Sequence, residues 1–154
     1  MKINELKKLE KMVSDLVKEY DISNTETKNR VNLNKPELVF EEFKWMGSSD
    51  VEEAIVVILD SQCKMMDWKV ISKGDVAQTI LSPRMVLHPV LIAGAATFMT
   101  VHNHPGGSTS PSAQDIKLFN DLDLAANIMG VVHLDSLIIG LGAEYFSWKR
   151  FRER

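Results

Sequence analysis

Apolar residues at Ile3, Leu6, Leu9, Met12, Val13, Leu16, Val17 and Tyr20 recur at helical spacing and predict an amphipathic helix over residues 3–20. Residues 21–35 (DISNTETKNRVNLNK) are polar and break that period, so they read as a connector. A short helix is expected from Pro36 to Trp45, with proline at its first position. Gly47-Ser48-Ser49 follows and reads as a boundary. Residues 1–46 are thus expected to form an N-terminal helical appendage, and residues 47–154 the main domain.

From residue 50 the pattern changes. VEEAIVVIL (51–59) is apolar and β-branched on both faces, as a central strand is. Asp60-Ser61-Gln62 predicts a turn, and CKMMDWKVIS (63–72) a second strand. Ser82 is placed to cap a helix that begins at Pro83 and reaches Ile92, with Pro89 expected to kink or restart it. ATFMTVH (96–102) predicts a third strand and residues 112–129 a long helix. VVHLDSLIIG (131–140) and AEYFSW (143–148) complete the strands. The order β-β-α-β-α-β-β predicts an α/β fold, a mixed β-sheet flanked by helices.

Composition narrows the class. With 45% hydrophobic and 25% charged residues in 154, the chain is that of a soluble globular protein. No stretch approaches the roughly 20 apolar residues of a membrane span, and the N-terminus lacks a signal-peptide core, so a cytoplasmic location is expected. Cys63 is the only cysteine, which excludes an intrachain disulfide and a thiolate-rich zinc site. A net charge of −3 gives no global case for nucleic acid. Only the tail Lys149-Arg150-Phe151-Arg152-Glu153-Arg154 is basic, and it reads as a solvated, frayed end.

The chemistry is concentrated in HNHPGGSTSPSAQD (102–115). His102 and His104, two apart at a strand end, leave the same face, and Asn103 points away. The Gly/Pro turn and a Ser112 N-cap put Asp115 in the first turn of the next helix, able to face both histidines. Two imidazoles and a carboxylate suit zinc, one ion per chain, with a fourth position left for water. One histidine on a strand is ordinarily structural; two of them followed by such a turn and an aspartate are not explained that way. Ser112 and Asp115 also have the spacing of a capping box. The Ser112 hydroxyl can accept from the helix amide and still donate to an oxyanion.

His102, His104, Pro105, Gly107, Pro111, Ser112 and Asp115 resemble the JAMM (MPN-plus) metallopeptidase signature, and their surroundings resemble the RadC-like JAB domain family. The resemblance spans roughly residues 50–148 and implies a JAB/MPN-like fold with cytidine-deaminase-like layering. It also implies a glutamate general base on the first strand, which falls at Glu52; alternation alone does not choose between Glu52 and Glu53. The chain departs from the family at Gly106, at Ser136 after Leu134-Asp135, and at Ser82. His133 and His88 read as structural.

The resemblance implies a zinc-dependent hydrolase that cleaves an amide or isopeptide bond, with a peptide or isopeptide-linked protein as substrate. Two other classes stay open: a RadC-like protein of DNA repair or recombination, and a non-catalytic interaction module. The apolar stripe of residues 3–20 is expected to pack on the core or on a second copy of the chain.

Overall fold

The computed structural model describes residues 10–15, 30–74 and 81–154. The chain divides into two compact units, Met1–Val31 and Asn32–Arg154. Residues 10–15 are helical, as the 3–20 period predicts; the rest of that helix and residues 21–29 of the connector lie outside the described residues.

The second unit holds helix α1 (Pro36–Phe43), a 3-10 turn (Lys44–Ser48), strands β1 (Glu53–Leu59) and β2 (Met65–Lys73), helix α2 (Pro83–Ile92), strand β3 (Thr97–Asn103), helix α3 (Ala113–Met129), strands β4 (Val132–Ile139) and β5 (Tyr145–Ser147), and helix α4 (Trp148–Arg152). The strands form one mixed sheet in the order β2-β1-β3-β4-β5. All neighbours are antiparallel except β3 and β4, which are parallel and joined by α3. Being parallel, these two strands end on the same edge of the sheet, where the metal-type motif leaves β3.

β1 is buried along its whole length because both of its faces are covered. Ile55, Val57 and Leu59 meet Met99, Val101, Leu137 and Ile139 beneath α1 and the 3-10 turn. Val56 and Ile58 face the other way, with Phe98, against α2 and α3. Phe119 of α3 closes that second layer over Ile138 and Trp148. The result is the expected α/β sheet flanked by helices.

Several boundaries differ from expectation. Leu33, Val39, Phe40, Phe43 and Met46 are core residues, so the second unit begins at Asn32 rather than after residue 46. Part of the polar connector is tied down too, with the Leu33 N–H donating to Cys63 O at 2.8 Å. Gly47 is no linker: a Cβ there would collide with Gly140 O. β2 starts two residues late because Asp60 Oδ1 accepts from Gln62 N (2.8 Å) and Lys64 N (3.0 Å), extending the turn through Cys63 at φ 61°. α2 runs through Pro89 as one helix, and Ser82 sits at its N-cap without a side-chain cap bond.

The basic tail is neither frayed nor free. Residues 148–152 are helical; Arg150 pairs with Glu37 and bonds Tyr145 Oη at 2.9 Å, and Arg152 meets Asp123 at 2.9 Å. Buried Asp135 anchors this helix, accepting from Ser147 Oγ (2.6 Å) and Lys149 N (2.9 Å). Among the described residues no helix is long and apolar enough to cross a membrane.

Candidate metal centre

His102 lies on the face of β3 that carries Phe98 and packs toward α3, its ring 6.1 Å from that of Phe119. His104 follows on the same side, just past the strand. Its N–H donates to Ile139 O (3.3 Å), and the Gly107 N–H turns back to His104 O (2.8 Å). Gly107 has φ +82°, a conformation that L side chains rarely adopt, and it lets the loop close. Ser112 then starts α3. Its Oγ accepts from Asp115 N (3.1 Å), and Asp115 Oδ2 accepts from Ser112 N (2.8 Å), a complete capping box.

That cap aims Asp115 at the histidines. His102 Nε2 and His104 Nε2 are 3.2 Å apart, His102 Nε2 is 3.2 Å from Asp115 Oδ1, and His104 Nε2 is 3.4 Å from Asp115 Oδ2. Tetrahedral ligands bonded at about 2.0–2.1 Å stand roughly 3.3–3.4 Å from one another. The two imidazoles stand close to that spacing from each other, and each stands close to it from one oxygen of Asp115, so the residues fit zinc. Oδ2 accepts from the helix amide and also faces His104, while Oδ1 faces His102.

Ser108 O can only accept, so the 2.9 Å contact fixes the proton of a neutral His104 on Nδ1 and leaves the Nε2 lone pair facing its partners. Hydrogen bonding to Asp115 raises the His104 pKa against the opposing effect of burial. Burial pushes the Asp115 carboxyl up, but hydrogen bonds to His102 and His104 outweigh it and hold the group well below the usual carboxylate range.

The structure also separates the two glutamates. Ala54 pairs with His102 across β1 and β3, and Glu52, two residues earlier, shares its face. A carboxylate oxygen of Glu52 and one nitrogen each of His102 and His104 lie within 4.8 Å of one another. Glu53 is turned away to Lys73 Nζ at 2.6 Å. Sequence reasoning missed Asn103, which does more than point away. It is fully buried and holds the backbone around Glu52, accepting from Glu53 N (2.7 Å) and donating to Val51 O (3.0 Å) and Ser49 O (3.4 Å).

Residues 33–153 match the family model for the RadC-like JAB domain. The chain belongs to the RadC-like JAB domain family. It is similar to a UPF0758 protein of Finegoldia magna, 38% identical over 109 residues, which are 70% of this chain and 49% of that protein. A UPF0758 protein of Aquifex aeolicus is 31% identical over 122 residues, 79% of this chain and 52% of the relative. One of Actinobacillus pleuropneumoniae serotype 5b is 30% identical over 126 residues, 81% and 57%. The chain spans about half the length of these curated relatives.

Within this RadC-like JAB domain the departures noted in the sequence find physical partners. His133 Nε2 meets Ser136 Oγ at 2.8 Å, and its Nδ1 meets Asp123 at 2.6 Å. Thr100 Oγ1 extends the chain at 2.6 Å from Ser136 Oγ, so His133 is held in a continuous hydrogen-bonded network. His88 is not in the core. It is exposed and lines an open cleft of about 620 Å³ with Lys69, Ser82 and Arg84. Gly106 meets nothing within 4 Å of an added Cβ, so the change there is harmless to packing.

Proposed function

We propose that this domain is a zinc-dependent hydrolase of the JAMM type, cleaving an amide or isopeptide bond in a peptide or protein. The observation that supports it is the convergence of His102, His104 and Asp115 at 3.2–3.4 Å with Glu52 beside them. His102 and His104 would hold zinc through Nε2, and Asp115 through a carboxylate oxygen. Zinc bound there supplies Lewis acidity, polarising the scissile carbonyl and lowering the pKa of the attacking water.

The chain's own residues do the rest. Glu52 takes the proton from the attacking water and passes it to the leaving amine. Ser112 Oγ already accepts from Asp115 N (3.1 Å), and its own proton is left to donate to the oxyanion. The His104 Nδ1–H contact to Ser108 O keeps that ring from turning.

Elemental analysis of the parent protein and of His102→Ala and His104→Ala tests the ligand set. About one zinc per chain is expected, lost in both variants. A panel of isopeptide-linked and short peptide substrates tests the chemistry. Glu52→Gln should retain zinc and lose about 10²–10⁴-fold in turnover, the usual worth of a general base. Glu53→Gln should change little. Zinc lost from Glu52→Gln would make Glu52 a ligand, and unchanged turnover would remove it from the reaction.

A further inference from the structure

We infer that Asn103 is a positioning residue that sets Glu52 against the metal ligands, separating placement of the base from metal binding. This rests on the reading of Glu52 as the base. Asn103 sits between His102 and His104, yet strand alternation sends its side chain to the opposite face of the sheet. There it is fully buried and spends its amide on one segment: Oδ1 on Glu53 N, Nδ2 on Val51 O and Ser49 O. These groups bracket Glu52 on both sides. β1 begins only at Glu53, and among the described residues the Glu52 backbone is tied through its carbonyl, which accepts from Gly74 N at 3.0 Å. The backbone of residue 103 is continuous with both histidines, so one residue ties the position of the base to that of the ligands.

The test compares the full-length parent with Asn103→Ala in zinc content, amide hydrogen exchange and turnover on the same substrate panel. Expected are unchanged zinc, exchange about tenfold or more faster at residues 51–53 with parent-like protection at 55–59, and a fall in kcat with little change in KM. If Asn103 acts through Glu52, Asn103→Ala costs nothing further in a Glu52→Gln background. Loss of zinc, unaltered exchange at 51–53, or costs that multiply in the double variant would each overturn the inference. Should Asn103→Ala fail to melt cooperatively, Asn103→Ser, smaller but still polar, takes its place in every arm. If the parent cleaves nothing on the panel, the hydrolase reading fails, and zinc content and exchange alone decide the positioning role.

Discussion

Gly140→Ala adds one methyl group at a point where the fold has no room for it. An ideal Cβ there stands 2.5 Å from Gly107 O and 2.7 Å from Thr109 Cγ2. Ordinary contact begins near 3.4 Å, so either the turn after β4 or the loop carrying His104 must yield by about 0.9 Å. The turn is constrained from behind, because Gly140 O packs on Gly47. The loop is therefore the element that gives, and His104 N, bonded to Ile139 O, moves with it. Overpacking of this kind costs about 1–3 kcal/mol, which lowers the melting temperature of a domain this size by about 3–10 °C. Disturbing the support of a metal ligand typically weakens affinity by about 10–100-fold. Thermal melts with and without a chelator, and zinc competition against a chromophoric chelator, read both effects. Gly106→Ser is the control, since an added Cβ meets nothing there. A Gly140→Ala protein that melts within a degree of the parent and holds zinc equally would refute the reasoning.

Two further outcomes are expected. A chain of residues 32–154 keeps every residue of the core clusters and of the metal centre, so it should fold and bind zinc like the full chain, checked by melting and elemental analysis. Asp123→Asn should cost about 1–3 kcal/mol at neutral pH, the worth of charged hydrogen bonds. Burial pushes the Asp123 carboxyl up, but His133, Trp148 and Arg152 outweigh it and hold the pKa below its ordinary value. That stabilisation is complete above the unfolded value near 4 and is lost as pH falls through the folded one. Melts of parent and variant should therefore converge in acid; a constant gap down to about pH 2 would show that the charge is not the cause.

The sheet was legible because its strands are short apolar runs between turn formers. VEEAIVVIL read as buried on both faces, and β1 is so; ATFMTVH read as a strand, and β3 is one. The convergence of His102, His104 and Asp115 was legible because the three lie within fourteen residues and their geometry is local: strand alternation for the histidines, a capping box for Asp115. What escaped was whatever depends on distant pairing. The choice of Glu52 over Glu53 needs the register that sets Ala54 opposite His102. Gly47 read as a linker because its partner, Gly140, is ninety-three residues away in sequence. α1 was assigned to an appendage because the surface it covers is assembled from β1, β3 and β4. The tail looked frayed because Glu37 and Asp123, which engage its arginines, belong to other elements.

The carboxylate that closes the first turn of α3 is also the one that faces both imidazoles. If this centre takes a metal ion, as proposed, ordering of that turn and capture of the ion are linked equilibria. Any free energy gained from the ion, growing as RT ln(1 + [M]/Kd), is shared by the helix start. Since α3 carries Phe119, Leu122 and Ala126 onto the sheet, the supply of metal would on that reading become a determinant of how firmly that layer is held.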